Sequence, residues 1–143
     1  MRISEVMGAK AHAGIVTISP EAGVRELIAT LAEHNIGAVV VTGPEGRLEG
    51  IVSERDVVRR LHHDGTVINN DVRSIMTAQV HTCSPDDDLD DVMQTMTRER
   101  FRHVPTVDAD GRVVGIVSIG DVVKHKIDRL QFERDQLDSY VHG

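Results

Sequence analysis

The sequence predicts a mixed α/β (α+β) fold made from two copies of one small β-α-β-β-α unit, and three observations carry that expectation. The tetrapeptide Gly50-Ile51-Val52-Ser53 returns 65 residues later as Gly115-Ile116-Val117-Ser118. Aligned at that shift, residues 15–58 and 80–123 share 14 identities in 44 positions, where unrelated chains of ordinary composition would share about three. The repeat is too long for a hairpin, and 143 residues suit one ordinary domain or two very small ones sharing a core.

Each unit opens on a short strand, expected at residues 15–18 and 80–83, followed by Ser19-Pro20 or Ser84-Pro85. Serine as N-cap with proline at the first helical position reads as a helix start. Val24, Leu27, Ile28 and Leu31 then lie at i, i+3, i+4 and i+7, and Leu89, Val92, Met93 and Met96 repeat the stripe, which marks a core-facing helix face. Two β-rich runs come next, at 38–42 and 48–52, joined by Gly43-Pro44-Glu45-Gly46; the second copy has 103–107 and 113–117. A helix beginning at Ser53 or Ser118 closes each unit. Residues 62–71, with Gly65 and Asn69-Asn70, read as the polar connector. Residues 3–7 resemble 72–76, both ending in an apolar residue and Met, but this pair is offset by 69, which leaves about four extra residues in a loop at 8–14. The expected division is a first repeat over 1–66, a second over 72–126 and a C-terminal helix over 127–143.

Composition narrows the function classes. Sixteen Lys+Arg against 23 Asp+Glu leave a formal charge of −7, so nucleic-acid binding is not expected without a strong local basic patch. Phe101, Phe132 and Tyr140 are the only aromatic residues, too few for a base-stacking platform. The single cysteine, Cys83, suits a reducing compartment. With no apolar run able to span a bilayer and no apolar signal core after Met1, a cytoplasmic protein without a membrane segment is expected.

The repeated Gly-Ile-Val-Ser-x-x-Asp supports two readings. In one it is a capping box variant, the serine capping the helix and the acid three residues later answering the first amides. In the other, glycine lets a ligand approach the backbone, the helix start offers amides to a phosphate, and Asp56 or Asp121 accepts both hydroxyls of a ribose.

The double motif, the hairpin before it, the Ser-Pro sequence and the apolar-Met lead-in together resemble a tandem pair of cystathionine-β-synthase (CBS) domains over residues 3–124, with Phe101-Arg102-His103-Val104-Pro105 and residues 118–124 most like the stand-alone bacterial pairs. The resemblance implies a compact pseudo-twofold module whose cleft holds AMP, ADP, ATP or NAD as a regulatory ligand, with no catalytic cofactor. It implies a ribose aspartate at Asp121, a nearby hydroxyl at Ser118, phosphate-binding side chains at Arg102 and His103, and Ala13 beside the adenine. The mirror site would use Ser53, Asp56 and the loop at Thr77 and Ala78. There Gly37 and Ala38 stand in for Arg102 and His103, and Arg55 would supply charge from the helix start. Phosphate recognition is therefore expected mainly beside Ser118 and Asp121. CBS pairs commonly dimerise, so the resemblance also implies a homodimer and an unidentified regulated protein.

The other clusters read as structural. Arg98 and Arg100 fit a solvated helix end, and the acids at 86–91 fit a helix N-terminus. His62 and His63 before Gly65 fit a C-terminus rather than a metal site. No nucleophile, base and orienter occur together, so no catalytic residue is assigned. The continuation through Ile127, Leu130, Leu137 and Val141, interrupted by Arg134, either covers the core or meets a second copy. A phosphohydrolase acting on the nucleotide, and an interaction module with degenerate pockets, are the alternatives to a nucleotide-responsive regulator.

Overall fold

The computed structural model describes residues 1–7, 15–67 and 69–142; the expected loop at 8–14, with Ala13, lies outside them. In the first repeat β1 (Thr17–Ile18), β2 (Ala38–Thr42) and β3 (Leu48–Ser53) form one sheet, β1 parallel and β3 antiparallel to β2. Helices α1 (Val24–Glu33) and α2 (Glu54–Asp64) follow β1 and β3. The short α3 (Val72–Ile75) leads into the second repeat, which contains α4 (Leu89–Glu99), the antiparallel pair β4 (His103–Val107) and β5 (Val113–Ser118), and α5 (Ile119–His142). The final helix is one unbroken element of 24 residues, about 36 Å long, with no division near residue 127.

The strand expected at 80–83 contracts to a single parallel bridge, Cys83 to Thr106. The first repeat pairs Thr17 with Val40 and Ile18 with Val41. Proline replaces Val40 at Pro105 and has no amide proton to give His81, so only the Cys83 rung closes, through Cys83 N to Pro105 O at 3.0 Å and Val107 N to Cys83 O at 2.9 Å.

Neither Ser-Pro begins a helix. Ser19 and Ser84 instead hold turns, their Oγ atoms accepting from Glu21 N and Asp86 N, each at 3.2 Å. The helices start four residues later at Val24 and Leu89, because the opposite lead-in segment occupies the intervening backbone. Val72 N donates to Ala22 O (2.8 Å) and Arg73 N to Pro20 O (2.9 Å), while Asn70 O accepts from Val24 N (3.2 Å). The helical residues 3–7 repeat this on the other half, with Ile3 N to Asp87 O (2.9 Å), Ser4 N to Pro85 O (2.9 Å) and Leu89 N to Met1 O (2.8 Å). Arg73 also pairs with Glu21 at 2.9 Å, and this hydrogen bond, with that from Ser19, holds the Glu21 carboxyl below the usual carboxylate range.

The lead-ins are thereby exchanged. Ile3, Val6 and Met7 are buried with Leu89, Val92, Met96, Val104, Val117 and Val122 of the second repeat. Val72 and Ile75 are buried with Ile18, Val24, Leu27, Val39, Val41 and Val52 of the first. The hairpin tips also meet, through an antiparallel bridge between Arg47 and Arg112 and the bond from Leu48 N to Gly111 O at 3.2 Å.

The glycine of the repeated motif serves this exchange. A Cβ on Gly50 would lie 2.7 Å from Thr77 O and 2.9 Å from Met76 Sδ, and one on Gly115 would collide with Met7 Sδ. What comes close to the strand at these glycines is the other lead-in. Gly50→Ala is expected to cost about 1–3 kcal/mol by overpacking, read as a lower urea midpoint, whereas Gly120→Ala, in a helix and 3.8 Å from the nearest Ser118 atom, should be neutral or stabilise by up to about 1 kcal/mol.

Candidate functional site

Both motif copies form reciprocal capping boxes where a strand becomes a helix. Ser53 N donates to Asp56 Oδ2 at 2.8 Å and Asp56 N to Ser53 Oγ at 3.3 Å. Ser118 N donates to Asp121 Oδ2 at 3.1 Å and Asp121 N to Ser118 Oγ at 3.1 Å. A further backbone bond ties each helix start to the strand beside it, Glu54 N to Gly37 O (3.0 Å) and Ile119 N to Arg102 O (2.9 Å). The carboxylates are thus fixed before any ligand arrives. Each box is closed through Oδ2, and a carboxylate has a second oxygen with which to accept.

Two clefts lie beside these helix starts, each walled by both repeats. The first, about 410 Å³, is bounded by Met7, Ile15, Val16, residues 35–40, His103, residues 114–116 and Ser118. Among the described residues its lining carries no acidic or basic side chain other than His103, and its polar side chains are those of Asn35, His103 and Ser118. Asp121 stands behind Ser118, one hydrogen bond away. The second cleft, about 350 Å³, is bounded by Ser53, Glu54, Arg55, Asp56, Arg59 and Thr77 together with His81, Arg100, Phe101, Arg102 and His103. His81 and Phe101 stack there with ring centroids 5.7 Å apart.

This distribution changes the expected grouping. Arg102 does not line the cleft of Ser118; it lines that of Ser53, Arg55 and Asp56, while His103, Gly37 and Ala38 border both. Successive strand residues face opposite sides, so Arg102 and His103, at the start of β4, cannot serve one cleft equally. Thr77 lines the second cleft but its neighbour Ala78 does not, and Thr77 is tied to Ile51 by backbone bonds of 3.0 and 2.9 Å. Arg98 is indeed a solvated helix end, paired with Glu99 at 3.2 Å. Arg100, read with it, instead faces the cleft after a left-handed turn (φ 61°). Arg59 was also not singled out, although it lies four residues after Arg55 on the same helix face.

The acids at 86–91 have structural duties. Asp87 accepts from Ser84 N at 2.9 Å, Asp88 caps α4 through Asp90 N at 3.1 Å, and Asp90 pairs with Lys126 at 3.2 Å. His63 lies 2.6 Å from Asp64, next to the left-handed Gly65. Cys83 is a buried free thiol 3.3 Å from Thr106 Oγ1, and burial pushes its pKa up, away from a reactive thiolate. Among the described residues no three His, Cys, Asp or Glu side chains converge on a metal position, and no helix is long and apolar enough to cross a membrane.

The sequence model of the CBS domain matches residues 3–63 and 72–128. The chain is 33% identical over 149 aligned positions to a mitochondrial CBS domain-containing protein of Arabidopsis thaliana, covering 99% of this chain and 72% of that protein. A crystal structure of a CBS-domain-containing protein from Agrobacterium tumefaciens superimposes with a TM-score of 0.79 at 39% identity, covering 88% of this chain and 99% of that one. A CBS domain protein from Pyrobaculum aerophilum, solved in complex with AMP, gives 0.74 at 27% identity, covering 85% and 89%.

The capping boxes make a prediction that needs no ligand. Ser53→Ala and Ser118→Ala each remove the side-chain acceptor for a helix N3 amide and should each cost about 1 kcal/mol in urea unfolding. A loss in only one of the pair would show that the two boxes are not energetically equivalent.

Proposed function

The chain belongs to the CBS domain family, and from that premise we propose that it is a regulatory module that binds adenosine nucleotides in the two clefts and passes their occupancy to a partner protein, without chemistry of its own. The observation that carries this reading is the pair of pre-formed boxes, Ser53 with Asp56 and Ser118 with Asp121, each at the mouth of a cleft between the repeats. A carboxylate held by its own helix start loses little entropy on accepting a vicinal diol, and unused helix-start amides suit a phosphate. The AMP complex of the Pyrobaculum aerophilum relative supports the choice of ligand class. Ser118 and Asp121 are assigned to one ribose, with Ala13 beside its adenine; Ser53 and Asp56 are assigned to the other, with Thr77. Arg55, Arg102 and His103 are assigned to phosphate. The buried thiol of Cys83 fits a reducing compartment, and the cytoplasm is the proposed location.

The module is further proposed to act as a homodimer. Val58 and Val123 occupy equivalent positions on α2 and α5 and are 63% and 44% exposed, beside exposed Leu61 and Ile127. Two helices that each turn apolar side chains outward at matched places suit a symmetric contact.

AMP should raise the melting temperature, because a ligand that binds only the folded chain stabilises it by mass action. Asp121→Asn keeps an acceptor for Ser118 N but removes charge and one acceptor from the diol, so it should reduce the AMP-induced shift while leaving the ligand-free melting temperature nearly unchanged. An undiminished shift would take Asp121 out of ribose recognition. Light scattering at tens of micromolar should give twice the 15.7 kDa chain mass, and a monomeric mass with and without AMP would refute the dimer.

A further inference from the structure

We infer that the Ser53 cleft is a polyphosphate site, which takes the di- or triphosphate chain of a nucleotide in preference to a monophosphate, because four arginines from both repeats line it and their guanidinium groups have no partner among the described residues. The inference rests on the reading of the clefts as nucleotide sites and adds which cleft takes which anion.

Arg55 and Arg59 come from α2, one turn apart, and Arg100 and Arg102 from the junction of α4 with β4 on the facing wall. None of the four guanidinium groups forms an ion pair or side-chain hydrogen bond with another described residue, although those of their neighbours do: Arg60 donates to Ser74 O at 2.7 Å and pairs with Asp64 at 3.3 Å, and Arg98 pairs with Glu99 at 3.2 Å. On a chain of formal charge −7, four unpaired cations on one cleft are a local reversal of sign. The lining acids Glu54 and Asp56 offset two of these charges, and the cleft stays net positive.

Among the described residues the other cleft has no arginine in its lining. At the 65-residue shift, Arg55, Arg100 and Arg102 correspond to Gly120, Asn35 and Gly37, and Arg59 corresponds to Lys124, which does not line that cleft. Asn35 and Arg100 even share the left-handed turn, with φ of 50° and 61°. A single phosphate can engage one or two guanidinium forks. Cations on opposite walls are matched only by an anion long enough to meet both, and each added charge-assisted contact strengthens binding.

The test is calorimetry on the full chain with chelator present, comparing adenosine, AMP, ADP and ATP, with inorganic tripolyphosphate as a probe that carries no nucleoside. Affinity should rise along the series, by about ten-fold or more from AMP to ATP, and fall steeply with added salt. Arg59→Gln combined with Arg102→Gln removes one exposed cation from each wall. It should flatten the series to within about three-fold and abolish tripolyphosphate binding, with adenosine binding and the melting temperature retained. ATP binding no tighter than AMP, or an unaltered gradient in the double variant, overturns the inference. If tripolyphosphate binds but no adenosine compound does, the nucleotide reading fails while the polyphosphate site stands. If adenosine and AMP bind but tripolyphosphate does not, the reverse holds.

Discussion

Everything in this molecule depends on the exchange of the two lead-in segments. Ile3 and Val72 are completely buried, but each in the core of the repeat that does not follow it in the chain. Burying a side chain of that size is worth about 1.5–3 kcal/mol, and a repeat deprived of its borrowed segment would leave a comparable apolar surface open. Neither sequence repeat can therefore close its core from its own residues. The same crossing explains the Ser-Pro turns, whose carbonyls receive the amides of Val72 and Arg73, or of Ile3 and Ser4, so that a turn must precede each long helix.

The repeated Gly-Ile-Val-Ser-x-x-Asp consequently combines two demands in seven residues. Its glycine is small because Met76 and Thr77, or Met7, press against the strand. Its serine and aspartate close the helix start. The capping role and the proposed binding role are compatible because a box that fixes the carboxylate also prepares it to accept from outside. This is why the two readings of the motif could not be separated on sequence grounds: both require the same residues at the same spacing.

Most elements were legible because they rest on local rules. The apolar stripes of α1 and α4, the hairpins and the Ser53 and Ser118 helix starts all follow from periodicity and capping within one segment. The failures share a non-local cause. Ser19 and Ser84 carry a sound helix-start signal, but it was overridden by backbone bonds to segments some 50 to 80 residues away in sequence. The strand at 80–83 was lost to Pro105, a partner 22 residues beyond Cys83. The allotment of the candidate residues to clefts differs from the sequence expectation for the same reason. Sequence places Arg102 next to the second repeat's own motif, but a cleft bounded by both repeats gives it to Ser53.

That interleaving also accounts for how duplicated halves can hold unequal sites. The backbone constraints agree closely between repeats: Glu54 N to Gly37 O is 3.0 Å and Ile119 N to Arg102 O is 2.9 Å. These bonds involve main-chain atoms and do not depend on what side chain is carried at 37 or 102. The fold thus leaves those positions chemically free, and glycine in one copy and arginine in the other cost it nothing in hydrogen bonding. Because each cleft takes one wall from each repeat, Arg55 of the first and Arg102 of the second meet in a single cleft, and their counterparts Gly120 and Gly37 leave the mirror positions uncharged. Departures from symmetry in both repeats, Arg55 in the first and Arg100 and Arg102 in the second, therefore add on one side of the pseudo-twofold axis instead of cancelling across it.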